Sequence, residues 1–263
     1  AAGVFTQNRG CAAPGKGCRE RLPSAQTRGI VICSGNANAC TGEQGMRDAR
    51  RMAECAAEAV GCRSEQMLVC STGVIGRLLP MALIEPGIGS ASGNLGADAA
   101  ALDRAAHAIL TTDTRTKVSM RLLHVGGAEI RLTGFAKGAA MIGPNMATML
   151  AFVLTDAAVG MDDLNRLAPH AAERSFNAIS VEGHTSTNDT LIFLANGAGP
   201  KLSGAALRQF EEAATAVCAD LARAIVADAE GASHLVTILV EGLRTDDEAR
   251  RVARTVAESA LVK

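Results

Sequence analysis

The chain has no tryptophan and no tyrosine, so its six phenylalanines would have to supply every base-stacking contact. That scarcity argues against recognition of single-stranded nucleic acid, which relies on aromatic platforms. The charges nearly cancel, at a formal net charge of −1, so electrostatics favours neither nucleic acid nor an anionic membrane. We therefore expect no nucleic-acid partner.

Long apolar runs and targeting features are also missing. No run approaches the roughly 18–20 residues that a membrane-spanning helix needs. No basic-then-apolar signal peptide opens the chain, and such a leader is the usual mark of secretion. The sequence opens on AAGVFTQNR without a methionine, which suggests processing or an incomplete sequence. We expect a cytoplasmic protein with no membrane partner.

The spacing of cysteine and histidine does not favour a metal site. The eight cysteines include no C-x-x-C pair, and the five histidines include no H-x-x-x-H or H-E-x-x-H pattern. These are common arrangements of zinc ligands. We therefore expect no metal ion. We also expect free thiols, since disulfide frameworks belong mainly to small secreted domains.

Residues 10–17, GCAAPGKG, begin like a phosphate-binding loop. Gly17 stands where such a loop needs a serine or threonine to hold the magnesium ion. A proline lies inside the segment and no convincing helix follows it. We therefore do not expect nucleotide binding here.

Strand-like and helix-like runs alternate throughout the 263 residues, which predicts an α/β (α+β) fold. A chain of this length forms one large domain or two moderate ones. Strands are predicted at residues 29–33, 66–70, 148–154, 191–194 and 234–240, with a hairpin turn at Gly126 and Gly127. Helices are predicted at residues 45–60, 98–109, 161–174, 207–228 and 246–261. Residues 85–96, rich in glycine and serine, are predicted to form a surface loop.

The most suggestive segment for catalysis is KGAAMIGPNMATMLAF, residues 137–152. A threonine hydroxyl is a poor nucleophile without a base beside it, and an N-terminal threonine can use its own α-amine. The α-amine has an ordinary pKa of about 7.7–8, against about 10.4 for lysine. Thr148 follows the small Ala147 at a strand start, which suits exposure by self-cleavage through an N→O acyl shift. An ordinary threonine in a buried strand is the alternative interpretation.

Two other segments carry groups suited to binding anions. STGVIG, residues 71–76, follows a predicted strand, and its small residues would let backbone N–H groups approach a ligand or oxyanion closely. A plain tight turn is the alternative. TTDT, residues 111–114, is a hydroxyl cluster that could bind a carboxylate or cap a structural element.

Six segments, in order, resemble the ornithine acetyltransferase family, the bifunctional glutamate N-acetyltransferases of arginine biosynthesis. They are SGNANACTG (34–42), STGVIG (71–76), TTDT (111–114), KGAAMIGPNMATMLAF (137–152), RSFNAISVEGHTSTND (174–189) and DAEGASHLV (228–236). The resemblance runs from end to end of the chain, and the PNMATML core is highly specific. It implies the layered α-β-β-α sandwich that this family shares with self-processing aminopeptidases.

The resemblance also implies a mechanism. A precursor cleaves itself between Ala147 and Thr148, giving an α chain of residues 1–147 and a β chain of residues 148–263. Thr148 would take acetyl from N-acetylornithine and pass it to glutamate, with ping-pong kinetics. The family implies no cofactor, although some members accept acetyl-CoA as a co-substrate. Two α and two β chains commonly form a heterotetramer.

Site residues follow from the matching motifs. Thr72 and Gly73 of STGVIG would form the oxyanion hole. The family's substrate contacts fall on Thr148, on Lys137, on Glu230 of DAEGA, and on Thr111 or Thr112 of TTDT. A lysine suits a substrate carboxylate, and a glutamate suits an ammonium group.

Three departures from the family pattern stand out, one of which is that the first few tens of family residues are missing at the N-terminus. Glu182 and His184 occupy positions where the family usually has Asp-Gly-Asp. The family also continues for roughly a hundred residues past the last segment here, so the β chain looks C-terminally truncated.

Two other functions stay open at this point. A self-processing amidohydrolase or aminopeptidase of the same architecture would use water as acyl acceptor. A truncated homologue could bind amino acids without turnover.

Overall fold

The structure is a computed structural model, and it describes residues 1–143 and 149–262. Its strands are β1 (Ala2–Phe5), β2 (Gly29–Asn36), β3 (Met67–Val74), β4 (Lys117–Val125), β5 (Ala128–Lys137), β6 (Leu150–Thr155) and β7 (Thr190–Ala195). Its α-helices are α1 (Ala13–Arg21), α2 (Gly42–Val60), α3 (Met81–Ser92), α4 (Ala99–Ala108), α5 (Met161–Glu173), α6 (Gly204–Ala227) and α7 (Asp246–Glu258).

The strands form two sheets. The larger has the order β1-β7-β6-β5-β4. Its neighbours are antiparallel except β6 and β7, which are parallel. The smaller sheet pairs β2 with β3 in parallel. Parallel neighbours need a crossover connection, and α2 supplies it between β2 and β3, as α5 does between β6 and β7.

Side chains alternate between the two faces of each strand, and this alternation builds the layers. In β6, Ala151 and Val153 belong to a core shared with α5 and α6. Leu150 and Phe152 belong to a second core, between the two sheets. The smaller sheet alternates in the same way, facing the second core on one side and a third core with α2 and α3 on the other. The predicted α-β-β-α sandwich is confirmed.

Helix α6 packs closely on the large sheet at Gly134 of β5. A Cβ atom there would lie 2.5 Å from Val217 Cγ1 and 2.9 Å from Leu221 Cδ1. Real Cβ atoms do not approach other atoms so closely, so only glycine lets the helix approach the sheet to this distance.

Most of the predicted elements are present. The five predicted helices correspond to α2, α4, α5, α6 and α7, and the predicted strands at 29–33, 66–70 and 191–194 correspond to β2, β3 and β7. The strand predicted at 148–154 begins at Leu150 in the described residues, while residue 148 lies outside them. Gly126 and Gly127, both with positive φ, form the turn between β4 and β5.

Three local predictions were wrong. Residues 85–96 lie largely in α3 despite Pro86, because Ile84 and Ile88 pack in the core against α2. The sequence predicted no helix after segment 10–17, but α1 begins within this segment, and Pro14 suits the first helical turn. Residues 234–240 form no strand in the structure described, since no other strand lies beside them to complete their backbone hydrogen bonds.

Across residues 1–143 and 149–262, no helix combines the length and apolar character needed to cross a membrane. The eight cysteines, all within those ranges, carry free thiols.

Candidate active site

Part of the predicted site lies at one edge of the large sheet, where β5 ends and β6 begins. The end of β5 pairs Lys137 with Leu150, the first residue of β6. Leu150 in turn pairs with Thr190, the first residue of β7, and Thr190 pairs with Phe5 at the end of β1. The β5–β6 connection, which carries the predicted nucleophile, therefore starts and ends at this edge.

Ala147 and Thr148, the predicted cleavage site and nucleophile, lie outside the described residues. The chain is held on both sides of them. After them, the Met149 N–H donates to Asp189 Oδ1 at 3.3 Å. Before them, the Ile142 N–H donates to Glu182 Oε1 at 3.1 Å.

Glu182 belongs to a loop that packs tightly against residues 142 and 143. A Cβ atom on Gly143 would lie 2.7 Å from the carbonyl carbon and oxygen of Gly183. Ile142 O accepts hydrogen bonds from the N–H groups of Val181 and Gly183, at 2.8 and 3.2 Å. Glu182, which departs from the family pattern, thus holds the backbone before the predicted cleavage point.

Three of the predicted substrate residues lie together. Lys137 Nζ donates to Thr111 Oγ1 at 2.7 Å. The Glu230 N–H donates to Ala139 O, two residues beyond Lys137, at 2.9 Å. Both threonines of the pair are exposed, and Thr111 is the one that contacts Lys137. The structure therefore distinguishes the two threonines, which the sequence alone could not do.

The Lys137 ammonium is nearly inaccessible, since its side chain is 4% exposed. Burial lowers the pKa of Lys137 below its ordinary value, because a charged amine loses its hydration. The carboxylate of Asp113, 3.6 Å away, opposes that shift without cancelling it. An anionic group brought beside Lys137 would meet a cation in a weakly screened environment.

Asp113 organises this cluster, and the sequence analysis gave it no role. Its fully buried carboxylate accepts from Lys117 Nζ at 2.6 Å and from the Gly138 N–H at 2.6 Å. The Thr111 N–H also donates to it, at 3.3 Å. Asp113 therefore holds both Thr111 and the backbone next to Lys137. Its place inside TTDT was the only sequence signal for it.

Asp228 is the second acid of the cluster. Lys117 Nζ donates to Asp228 Oδ2 at 2.6 Å, and the Thr114 backbone and hydroxyl both donate to the same carboxylate. Burial alone would raise the pKa of Asp113 and of Asp228, but hydrogen bonds led by those from Lys117 lower both below their ordinary values. The pairing fixes the segment carrying Glu230 against TTDT.

The predicted oxyanion residues lie at the end of β3. Gly73 has a φ of 130°. A Cβ atom there would lie 2.2 Å from the carbonyl carbon of Gly35 on β2. Thr72 is buried and Gly73 is exposed. Both the positive φ and the close approach of the two strands require glycine at position 73.

No group of three or more metal-ligating side chains occurs in the part of the chain described. The polar groups that the structure describes at this edge are ammonium, carboxylate, hydroxyl and backbone groups.

Comparison with known proteins places these features in context. The sequence profile of the ArgJ family matches residues 1–263. The arginine biosynthesis bifunctional protein ArgJ of Geobacter sulfurreducens is 50% identical over 268 residues, covering 100% of this chain and 67% of the relative. The protein of the same name from Symbiobacterium thermophilum is 49% identical, covering 100% and 66%. The chain thus spans about two thirds of the length of these relatives.

Two solved structures are also similar. The ArgJ protein of Bacillus halodurans aligns with a TM-score of 0.51 and 39% identity, over 56% of this chain and 76% of that one. The ornithine acetyltransferase of Mycobacterium tuberculosis, solved in complex with ornithine, aligns with a TM-score of 0.52 and 35% identity, over 57% and 77%.

Proposed function

Because this chain belongs to the ArgJ family, we propose that it carries acetyl from N-acetylornithine to glutamate through an ester on Thr148. A similar protein was solved with ornithine bound, which supports an ornithine-type substrate. The self-cleavage step divides the protein into an α chain, residues 1–147, and a β chain that begins at Thr148. The assembly we propose contains two of each chain and works in the cytoplasm.

The observation that carries the proposal is the cluster of Thr111, Lys137 and Glu230 at the start of the β5–β6 connection. A buried ammonium and an exposed carboxylate on neighbouring segments match the opposite charges of an amino acid. Lys137 would pair with the substrate carboxylate and Glu230 with a substrate ammonium. The same pair of charges suits both ornithine and glutamate.

The chemistry follows in two half-reactions. Thr148 Oγ attacks the acetyl carbonyl while its α-amine takes the hydroxyl proton. The amine then returns a proton to the departing ornithine nitrogen, leaving the acetyl ester. The glutamate amine attacks this ester and restores the free threonine. Each tetrahedral intermediate carries an oxyanion, for which one donor of the Thr72–Gly73 pair would supply about 3–4 kcal/mol.

The reaction needs no metal or cofactor, because the nucleophile, the base and the oxyanion donors are all supplied by the protein. Acetyl-CoA would serve as an alternative donor to the same threonine. Adding it in place of N-acetylornithine, with glutamate as acceptor, tests this second use directly.

Initial rates measured over a grid of both substrates test the proposed function. We expect parallel lines in a double-reciprocal plot, as a covalent intermediate requires. Mass spectrometry should find one fragment ending at Ala147 and another beginning at Thr148. Acetate release exceeding transfer to glutamate would instead identify an amidohydrolase. An uncut chain that binds ornithine without turnover would identify a binding protein.

Changing Gly73 to alanine should lower kcat for acetyl transfer by about 10²–10³-fold, the usual effect of losing an oxyanion donor. The added methyl group cannot fit against Gly35 and displaces the end of β3. The control is Gly17→Ala, where a Cβ atom meets nothing within 4 Å. A wild-type kcat in Gly73→Ala would remove this residue from the proposed oxyanion hole.

A further inference from the structure

Two neighbouring residues, Asn188 and Asp189, connect the two halves of the candidate site. They lie directly before β7, in the buried segment that follows the loop carrying Glu182. The Asn188 amide donates to Ser71 O at 2.8 Å and to Ala37 O at 2.6 Å. Ser71 immediately precedes Thr72, so this amide holds the backbone that leads into the proposed oxyanion hole.

Asp189 holds the other half. Its Oδ1 accepts from the Met149 N–H at 3.3 Å. That nitrogen is covalently bonded to the carbonyl carbon of Thr148, so the contact restrains the peptide unit directly after the nucleophile. Asp189 is 1% exposed and Asn188 8% exposed, so both contacts are shielded from competing water.

The backbone around the pair is itself fixed. The Thr6 N–H donates to Asp189 O at 2.9 Å. The Thr187 hydroxyl donates to Asn188 Oδ1 at 2.6 Å, which leaves the Asn188 amide nitrogen directed at its two carbonyl partners. The Thr190 hydroxyl donates to Asn188 O at 2.9 Å. The pair is therefore a rigid connection between the two sheets, since Ser71 lies in the small sheet and Met149 adjoins the large one.

The carboxyl of Asp189 is unusual for a purely structural group. Among the described residues, its Oδ2 is buried and has no hydrogen-bond partner. Burial raises the pKa of Asp189 well above its usual range, and hydrogen bonds from Ser186, the Met149 N–H and the Thr6 side chain offset only part of this effect. A carboxyl retained in such a place at a cost in desolvation is more typical of a functional site than of a packed core.

We propose that Asn188 and Asp189 are positioning residues that set the distance between the oxyanion hole and the nucleophile. The proposal rests on the acetyl-transfer function given above. Asn188 acts on the strand end before Thr72, and Asp189 acts on the peptide after Thr148. One dipeptide makes both contacts, so a shift in either one changes the position of the nucleophile relative to the oxyanion donors. Such a shift impairs both the nucleophilic attack and the stabilisation of the oxyanion. A misplacement of about 1 Å can lower a rate about 100-fold.

The same contacts serve self-cleavage. In that step the Thr148 hydroxyl attacks the Ala147 carbonyl carbon, the C–N bond breaks, an ester forms and the amide nitrogen gains the hydroxyl proton. Water then hydrolyses the ester to free the threonine. Asp189 is within one peptide unit of the breaking bond, so loss of its contact should slow cleavage as well as transfer.

The test compares Asp189→Ala and Asn188→Ala with the conservative Asp189→Asn in the full-length precursor. Asp189→Asn keeps an oxygen acceptor for the Met149 N–H. We expect the two alanine variants to cleave about 10-fold or more slowly and to lose about 100-fold in kcat, with KM changed less than about threefold. Asp189→Asn should keep kcat within about fivefold of wild type. Asn196→Ala is the matched control, because Asn196 is exposed directly after β7 and its side chain accepts a local hydrogen bond from the Ala198 N–H.

Melting temperatures separate positioning from a merely structural role. Equal thermal destabilisation of Asp189→Asn and Asp189→Ala with equal loss of kcat would overturn the proposal, as would wild-type rates in the alanine variants. Recovery of kcat in Asp189→Asn supports it. If the wild type cleaves itself but transfers no acetyl group, the proposed function fails, and the cleavage rates of the same variants still decide the role of Asp189.

Discussion

Replacing Thr148 with alanine is expected to leave the precursor uncut and to reduce acetyl transfer by about 10⁴-fold or more. The variant lacks the hydroxyl that attacks the Ala147 carbonyl, so no N→O shift can begin. Without cleavage no α-amine forms, and without the hydroxyl no acetyl ester forms. One substitution thus removes the nucleophile and prevents the appearance of its base. A denaturing gel and a coupled assay of ornithine release measure the two losses separately.

Thr148→Ser is the matched control, because it keeps a hydroxyl at the same position. We expect it to cleave and to transfer acetyl, at reduced rates. Thr155→Ala, at the end of β6, should cleave normally. Efficient cleavage between residues 147 and 148 in Thr148→Ala, identified by mass spectrometry, would refute the proposed mechanism.

Replacing Lys117 with methionine is expected to lower the free energy of unfolding by about 3–5 kcal/mol, the usual effect of breaking a buried ion pair. The Lys117 side chain is 0% exposed and lies 2.6 Å from both Asp113 and Asp228. Without the Lys117 ammonium, the two buried carboxylates have fewer hydrogen-bond donors. Urea unfolding followed by circular dichroism measures the change. Lys16→Met, on an exposed face of α1, should change stability by less than about 0.5 kcal/mol.

The double variant Lys117→Met with Asp228→Asn should recover part of the loss, because it removes one of the two carboxylate charges that Lys117 neutralises. The dependence on pH has a definite sign. The pKa values of Asp113 and Asp228 are lowered in the folded protein. Their stabilising contribution is therefore present above the unfolded-state value of about 3.9 and is lost as the pH falls through the folded values. A Lys117→Met variant as stable as wild type at pH 7 would contradict this role.

The sequence predicted the layers because periodicity records which face of each element is buried. The alternation in β3 and β6 and the long apolar stripe of α6 are local properties, and the structure realises them. Helix α3 was missed because Pro86 and four glycines in residues 85–96 favour a loop by composition. Burial of Ile88 against α2 overrides that preference.

The sequence predicted which motifs contribute to the candidate site, but it did not predict which of their residues contact one another. Thr111, Lys137 and Glu230 came from the resemblance, and the structure shows how they are held. Lys117 and Asp228 are 111 residues apart, and Asn188 and Ser71 are 117 apart. Nothing in local periodicity signals contacts over such separations. Asp113, Asn188 and Asp189 lay inside recognised motifs, yet only the packing of the sheets assigns them partners.

The strand order of the large sheet has a consequence for the cleaved protein. Strands β7 and β6 belong to the proposed β chain and lie between β1 and β5 of the proposed α chain. After cleavage the two polypeptides are interwoven within one hydrogen-bonded sheet, and neither can leave without exposing the strand edges of the other. Unfolding would then release two molecules, so regain of the native state becomes a second-order reaction. The yield of refolded cleaved protein should therefore depend on protein concentration. The uncut precursor should refold at a rate that does not depend on protein concentration.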